Sequence, residues 1–309
     1  MQTPSPTAMP LPMREGVAPS YIWLQKGTWK TVIEFLIQRF PEVGAELWQD
    51  RLQRGEVVDE AGKALTIASA YYWGQRIFYY RELSNETPIP FEEKILFQDQ
   101  HILVVDKPHF LPVIPTGRFL HETLLVRLKN QLDMPSLSPI HRLDRETAGV
   151  MIFSTDQSSR GAYQSLFQQR SVTKEYQALA PHLPSYTAPF TYRSLMVPGT
   201  PFFRMQEIPG IPNSETHIEI IEQLGNISRY RLQPLTGKKH QLRVHLAALG
   251  CPIIHDAFYP TALPCKADDM SQPLQLLARS IRFIDPITNE ERYFESQLTL
   301  DPSLRRDQI

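Results

Sequence analysis

The sequence predicts an α/β protein in the broad sense, of the α+β type, because helix-like and strand-like segments are interspersed along its 309 residues. Apolar residues recur at helical spacing in four segments, 31–40, 45–54, 123–132 and 160–170. Short apolar or alternating runs typical of strands occur at 102–105, 150–153, 172–178, 216–222 and 228–233. With 42% hydrophobic and 21% charged residues, the chain can form one large or two modest globular domains.

Proline-rich stretches divide the chain into four regions. Residues 1–20 contain five prolines among small and polar residues, so we expect a disordered arm. A linker with two further prolines follows at 86–93. We therefore expect a small domain over 25–85, a larger domain over 87–300, and a tail over 301–309.

Composition and charge limit the environment and the partners of the chain. No apolar run is long enough to span a bilayer, and the N-terminus lacks the basic and apolar regions of a secretory signal. Two cysteines, Cys251 and Cys265, without such a signal indicate a reducing cytoplasm. The formal net charge is -1, so a polyanionic partner would have to bind a local basic patch. We expect a cytoplasmic monomer.

The segment HRLDRETAGV, from His141 to Val150, predicts a strand, a charged turn and a second strand. Asp144 lies between Arg142 and Arg145, and guanidinium groups nearby favour an ionised carboxylate. Asp144 could therefore serve as a nucleophile or an anchor rather than as an acid. Gly149 eases the re-entry of the chain into the second strand. The charges alone are also compatible with a structural ion pair in a loop.

This segment matches the motif H-R-L-D-x-x-T-[AS]-G at every fixed position, and it thereby resembles the RluA-type RNA pseudouridine synthases. Matching segments extend over residues 91–294. The resemblance implies a pseudouridine synthase fold, with a mixed, mostly antiparallel sheet flanked by helices and a central cleft. It also implies isomerisation of a uridine to pseudouridine in ribosomal or transfer RNA, without a cofactor. In the family the aspartate is the nucleophile, here Asp144, and Arg142 fills the space left by the flipped uridine.

Two further segments carry the resemblance. Lys174 and Tyr176 fit the K-x-Y motif, in which the tyrosine stacks on the target base; its hydroxyl could help to remove the proton from carbon five. TGKKHQLRVH, residues 236–245, resembles T-G-R-x-H-Q-[IL]-R-x-H, in which the second arginine, here Arg243, pairs with the nucleophile. No acidic residue lies between Glu222 and Asp256. The stretch therefore predicts a local basic patch, formed by Arg229, Arg231, Lys238, Lys239 and Arg243. Lys238, Lys239 and His240 are its expected RNA contacts.

Several positions depart from the family pattern or are hard to interpret. Phe110 stands in place of glycine in K-P-x-G, His255 in place of glycine in G-x-P-[IL]-x-G-D, and Leu277 in place of histidine in L-x-L-H-A. We expect Lys107 to be structural, with its ammonium group held by neighbouring carbonyl groups or by Asp106. The proline-rich stretch 184–214 predicts a long irregular loop or insertion.

The small domain before the linker has two helix signals followed by a hairpin signal. Thr31 with Glu34 fits a capping box, Gly55 suits a helix C-terminus, and strand patterns occur at 57–58 and 77–80. This order resembles a degenerate S-four-like RNA-binding domain, and a plain packing domain is equally compatible with it. On the RNA-binding interpretation, Arg51 and Arg54 are the expected phosphate contacts.

Two other kinds of site were weighed against this interpretation. A zinc site is disfavoured because the candidate ligands show no C-x-x-C pair, and His240 and His245 diverge on a helix; the set comprises His240, His245, His255, Cys251 and Cys265. A glycosidase with paired carboxylates would need a second acid, and Glu146 and Asp106 belong to no matching motif. A catalytically silent RNA-binding or assembly factor on the same fold is the remaining alternative.

Overall fold

A computed structural model describes residues 9–83, 85–263 and 269–301 of the chain. The chain divides into two compact units. The N-terminal unit comprises residues 1–86 with 117–121, and the C-terminal unit comprises residues 87–116 with 122–309. Within the described residues, no helix is both long enough and apolar enough to cross a bilayer.

The N-terminal unit contains two helices and a three-stranded antiparallel sheet of order β1-β3-β2. Its elements are β1 (Ser20–Trp23), α1 (Val32–Arg39), α2 (Ala45–Gln53), β2 (Val57–Asp59) and β3 (Arg76–Tyr79). The Thr31 hydroxyl accepts a hydrogen bond from the Glu34 amide at 3.4 Å, which confirms the predicted helix start. Both predicted helices and both strands of the predicted hairpin are present.

The segment before β1 is ordered where the structure describes it. Leu11 and Val17 are buried, and Arg14 and Val17 exchange backbone hydrogen bonds of 2.8 and 3.0 Å. The Tyr80 hydroxyl donates to the Pro12 carbonyl oxygen at 2.8 Å. The prediction of a disordered arm is therefore wrong for residues 9–20, because buried apolar side chains hold this segment in place. Residues 1–8 and the tail from 302 lie outside the described residues.

The C-terminal unit is built on a mixed sheet with eleven strands among the described residues. Nine of them lie side by side in the order β10-β9-β11-β12-β8-β13-β7-β5-β4, while β14 pairs with β13 and β6 pairs with β7. The strands are β4 (Lys94–Gln98), β5 (Ile102–Lys107), β6 (Ser138–Pro139), β7 (Ala148–Ser154), β8 (Val172–Pro181), β9 (Phe190–Pro198), β10 (Met205–Ile208), β11 (Ser214–Leu224), β12 (Ile227–Pro234), β13 (Leu276–Ile284) and β14 (Glu291–Glu295). Its helices are α3 (Leu124–Leu132), α4 (Arg160–Gln168) and α5 (Gln241–Ala248). Among the described strands, β13 and β7 pair in parallel and the other pairs are antiparallel.

Two apolar clusters pack on different halves of this sheet. Tyr163 of α4 packs against residues of β5, β7, β8 and β13. Leu242 and Leu246 of α5 pack against residues of β8, β11, β12 and β13. The two helices thus cover different parts of the sheet, and residues at the end of α4 and the start of α5 both line one cleft.

The stretch 184–214 is more regular than the sequence indicates. It contains β9 and β10, which form an antiparallel pair with Met205 opposite Pro198. The prediction of a long irregular loop is wrong because several of its prolines lie at strand ends or beyond them, where a missing amide hydrogen breaks few ladder bonds.

Candidate active site

Asp144 lies in the turn between β6 and β7, and the buried side chain of Lys107 anchors this turn. Lys107 Nζ donates to three carbonyl oxygens, of Pro108 and Leu111 at 2.9 Å and of Arg145 at 3.1 Å. Burial lowers the pKa of Lys107 to about 7. The predicted structural role is confirmed, with the carbonyl oxygens as the partners. The loop that follows β5 is thereby tied to the residue after Asp144.

The side chains of Arg142 and Arg145, which flank Asp144 in the sequence, lie in different surroundings. Arg145 Nε donates to the Phe110 carbonyl oxygen at 2.9 Å, and its Nη1 lies 3.4 Å from a Glu146 oxygen. Arg142 is exposed at the mouth of the cleft. These contacts of Arg145 hold the turn that carries Asp144 against the loop after β5.

The charge partner of Asp144 comes from α5. Arg243 Nη1 lies 3.6 Å from Asp144 Oδ2, as the resemblance implied. This nitrogen is buried and makes no hydrogen bond. Burial opposes the charge of Arg243, but the hydrogen bonds and charge of Asp256 and the charge of Asp144 leave the pKa of Arg243 raised overall. Arg243 thus presents a fixed positive charge to the Asp144 carboxylate.

Asp256 holds this arginine in place, a role that the sequence analysis missed. Arg243 Nε and Nη2 donate to the two Asp256 oxygens at 2.8 and 2.7 Å, in a buried bidentate pair. The amides of Phe258 and Tyr259 donate to Asp256 Oδ1 at 2.8 and 3.1 Å. The signal in the sequence is the match to G-x-P-[IL]-x-G-D, whose last residue is Asp256.

His240 is a second neighbour of the Asp144 carboxylate. Its Nε2 lies 3.8 Å from Asp144 Oδ2, and its Nδ1 forms a 2.9 Å hydrogen bond with the Tyr259 hydroxyl. Burial lowers the pKa of His240 to about 4, although the Asp144 charge acts in the opposite direction. His240 is therefore neutral near pH 7, so its predicted contact with RNA would be a neutral hydrogen bond rather than a charge pair. Helix α5 begins at Gln241, directly after His240.

Strand β13 brings Tyr176 to the same site. Ala278 is opposite Tyr176 of β8 on one side and opposite Gly149 of β7 on the other. Tyr176 therefore lies across one strand from the end of the Asp144 turn, and both residues line the cleft. Burial, together with the Asp144 charge, raises the pKa of Tyr176. Its hydroxyl remains protonated and can donate a hydrogen bond near neutral pH.

The cleft has a volume of about 680 Å³ and a mainly basic rim. Its charged lining comprises six cationic side chains and two carboxylates: Arg142, Arg170, Lys174, Lys238, Lys239, Arg243, Asp144 and Glu215. The structure thus brings Lys174 and Lys238 to the same cleft as Asp144, although they are 64 residues apart in the sequence. A cleft with an acidic floor residue and basic walls suits a phosphate-bearing substrate.

Other predicted cationic contacts have internal partners. Arg229 pairs with Glu222 at 2.9 Å, and Arg231 pairs with Glu219 at 2.7 Å, so they do not extend the basic patch. In the N-terminal unit, Arg51 is buried, with its guanidinium group 4.9 Å from the centre of a Trp48 ring. Its predicted contact with RNA is therefore contradicted by its burial.

Arg54 is more exposed than Arg51, but its guanidinium group forms ion pairs with three acidic side chains. It lies 3.0 Å from Asp50, 3.1 Å from Glu56 and 3.3 Å from Glu82. These three carboxylates oppose the approach of a phosphate group, so the structure does not favour the predicted RNA contact.

The two positions where this chain lacks the family's glycine keep a glycine-like backbone. Phe110 has φ +66° and His255 has φ +61°, in the left-handed region that most side chains avoid. The third departure, Leu277, is buried in β13 opposite Ala148. The backbone at Phe110 and His255 thus adopts a conformation that glycine favours.

The histidines and cysteines weighed as metal ligands do not converge. Cys251 is buried, and His245 forms hydrogen bonds with the hydroxyl groups of Ser214 and Thr216 at 3.0 and 2.9 Å. Cys265 lies outside the described residues. Among the residues that the structure describes, no group of three potential ligands could hold a metal ion.

Comparison with known proteins places these features in a family. A family model described as RNA pseudouridylate synthase matches residues 101–248. The dual-specificity RNA pseudouridine synthase RluA of Escherichia coli is 33% identical over 205 residues, 65% of this chain and 91% of the relative. The mitochondrial tRNA pseudouridine(32) synthase of Saccharomyces cerevisiae is 29% identical over 74% of this chain and 50% of that relative.

Solved structures show the same fold. Human RNA pseudouridylate synthase domain containing 1 superimposes with a TM-score of 0.57 at 24% identity, over 69% of this chain and 86% of that one. The fold and sequence matches define the class of protein as an RNA pseudouridine synthase, an isomerase that acts on RNA. Within this class, the chain belongs to the RluA-type family.

Proposed function

We propose that this chain converts a specific uridine of a structured ribosomal or transfer RNA to pseudouridine, with Asp144 as the nucleophile. The observation that carries the proposal is the position of Asp144 in a basic cleft, 3.6 Å from the buried Arg243 Nη1. A carboxylate with a fixed cation beside it stays available for attack on carbon.

The reaction is an isomerisation, so its atoms balance without a cofactor. The uridine leaves its stack and enters the cleft, as target bases do in other base-modifying enzymes. Asp144 attacks the sugar or the ring, the bond between nitrogen one and the ribose breaks, and the ring turns. Carbon five then joins the ribose and the bond to the carboxylate breaks. The proton leaves carbon five and nitrogen one takes up a proton, so the product is an isomer of the substrate.

The surrounding residues have distinct roles in this proposal. Arg243 places a positive charge beside Asp144 and orients its carboxylate. Tyr176 lies under the flipped base, and because its hydroxyl stays protonated, it acts as a stacking surface and hydrogen-bond donor rather than as an anionic base. Arg142 occupies the space that the uridine leaves. Lys174, Lys238 and Lys239 contact phosphates along the cleft, where their contribution falls with salt.

The proposal predicts that Asp144→Asn abolishes catalysis and leaves RNA binding within a few-fold of wild type. The reason is that asparagine keeps the shape of the side chain and removes the nucleophilic oxygen. Release of tritium from RNA labelled at carbon five of uracil measures turnover, with Asp133→Asn as a control on an α3 cap residue outside the cleft lining. Activity of the Asp144 variant above about a hundredth of wild type would contradict the nucleophile assignment.

The same assay separates the alternatives. A synthase releases tritium and retains the base, a silent binding factor releases nothing, and a glycosidase frees uracil. Mapping pseudouridines in total RNA with and without the gene identifies the target. One relative is named for transfer RNA and another as dual-specificity, which supports both RNA classes as candidates.

A further inference from the structure

The outer face of the N-terminal sheet carries a cluster of exposed aromatic and cationic side chains. Tyr21 and Trp23 of β1 are 52% and 51% exposed, while Ile22 between them packs into the core on the other face. Arg76 of β3 is opposite Trp23, with its guanidinium carbon 5.3 Å from the ring centres of both Tyr21 and Trp23. These three residues form one continuous surface of rings and positive charge.

The rest of the same face is covered by the chain itself. Leu11, Val58, Phe78 and Tyr80 form a buried apolar cluster. Arg14 covers the Tyr80 ring with its guanidinium carbon 3.7 Å from the ring centre. The segment before β1 thus shields one half of the face, and the half with Tyr21 and Trp23 stays open to solvent.

The surface continues into the loop before β3. The Gly74 amide donates to the Leu24 carbonyl oxygen at 2.7 Å, which extends the β1–β3 pairing by one step beyond Trp23. Tyr72 and Trp73, next to this bond, are 61% and 69% exposed. We call Tyr21, Trp23, Tyr72, Trp73 and Arg76 the aromatic surface. Lys26 and Lys30 are exposed in the segment that pairs with this loop.

We propose that the aromatic surface binds an unpaired segment of the RNA substrate, whose bases stack on the exposed rings. A sheet face with exposed rings can bind single-stranded RNA because the flat face of every base can stack on a ring. An arginine guanidinium group can stack on a base and can also pair with a phosphate. The nearby lysines complement a polyanion. The inference depends on the proposed RNA substrate and gives the N-terminal unit a contact that does not involve Arg51 or Arg54.

The distribution of tryptophan provides a direct probe. All four tryptophans of the chain lie between residues 23 and 73. Trp48 is buried, and Trp29 is partly buried against Phe35 and Tyr71. Quenching of tryptophan fluorescence by RNA would therefore report on Trp23 and Trp73.

The test titrates the full chain with a ten-nucleotide oligouridylate and with a fully paired RNA hairpin, at two salt concentrations. We expect oligouridylate to quench the fluorescence. Trp23→Ala and Trp73→Ala should each weaken its binding about tenfold, in line with base stacking. Trp23→Phe should keep the affinity and lose part of the quenching. Tyr293→Ala is the matched control, because Tyr293 is 48% exposed and also stacks with an arginine, Arg282, on the C-terminal unit.

The outcomes are distinguishable from those of the proposed reaction. At saturating RNA, the tryptophan variants should retain the single-turnover rate, since they do not line the cleft. Oligouridylate binding unchanged in the double variant Trp23→Ala, Trp73→Ala, with an unchanged melting temperature, would overturn the inference. So would a wild-type dimer that the same variants dissociate, because the surface would then be an interface between copies. Absence of tritium release by the wild type would overturn the proposed reaction and leave the binding result intact.

Discussion

At the scale of single residues, Arg243 is shared between two carboxylates with different tasks. Asp256 takes two of its nitrogen atoms in a buried bidentate pair, and the third nitrogen faces Asp144. Because Asp256 also accepts two backbone amides, it fixes the plane of the guanidinium group. Asp256 is therefore a positioning residue for the cation beside Asp144, the proposed nucleophile.

Asp256→Asn should slow pseudouridine formation about 100-fold at saturating RNA, because Arg243 would no longer be held against Asp144. It should also cost about 3 kcal/mol of stability, since it breaks a buried charge pair. Single-turnover rates and thermal melting measure the two effects. Glu222→Gln, which breaks the exposed Arg229 pair, should change stability by less than about 1 kcal/mol and leave the rate unchanged. A rate unchanged in the Asp256 variant would reduce its role to folding alone.

The sequence identified the positions of residue-scale departures but not their conformations. Phe110 and His255 stand in place of glycine in the family pattern, and both have a positive φ. Buried packing accounts for the first, since Phe110 stacks with Phe91 at 5.9 Å. Burial of Arg51 was equally invisible, because an arginine on a short helix gives no sign of the ring beside it.

At the scale of secondary-structure elements, the join between β7 and β13 leaves no room for a side chain. Gly149 has φ +111°, and a Cβ atom there would lie 2.2 Å from the Ala278 carbonyl oxygen. The same pair of strands connects the Asp144 turn to Tyr176. The glycine of the H-R-L-D segment is thus required by the approach of a strand more than 120 residues away in sequence.

Gly149→Ala should destabilise the protein by about 3 kcal/mol or more, through the backbone clash and the left-handed conformation together. Any folded fraction should have low activity, because β13 must move away from β7. Gly161→Ala is the matched control: Gly161 lies in α4 with open space around its Cα, and alanine there should be neutral or stabilising by up to about 1 kcal/mol. Equal melting temperatures for the two variants would contradict the steric argument.

Most helices and the strands β5, β7, β8, β11 and β12 were predicted from the sequence, but the order of the strands in the sheet was not. The helices were found because an amphipathic period is local, and hairpin partners such as β11 and β12 were found because a short turn joins them. The pairing of Leu277 with Ala148 joins distant segments, and no local pattern encodes it. Strands β9 and β10 were missed because the prolines between them obscured the alternation.

At the scale of the whole molecule, the residues that line the cleft all belong to the C-terminal unit. The N-terminal unit has its own apolar core, built from α1, α2 and the three-stranded sheet. The proposed chemistry and the proposed second RNA contact thus lie in different units of the chain. The net charge of -1 gives no sign of the local cationic surfaces.

A chain that lacks residues 1–85 should bind RNA more weakly, with a smaller salt dependence, because it loses the contacts of the N-terminal unit. It should keep the full-length single-turnover rate once RNA saturates it. Affinity at two salt concentrations and the melting temperature measure these effects, with Arg54→Ala in the full chain as a control that should bind as wild type. A truncated chain that melts early or aggregates would mean that the N-terminal unit supports the fold; one with full affinity would mean that it does not bind RNA.

The position of β13 also governs when the enzyme can form during its synthesis. This strand comes from residues 276–284, yet it lies between β8 and β7 in the path of described strands. On the ribosome, the segments that carry Asp144 and Tyr176 emerge long before the strand that aligns them. Before β13 is synthesised, the strands on its two sides cannot be joined, and the edges of β7 and β8 that pair with it are open. We expect such a nascent chain to be prone to misassembly until β13 is inserted. We therefore expect chains that end before residue 276 to be inactive, because they lack the strand that aligns Asp144 with Tyr176.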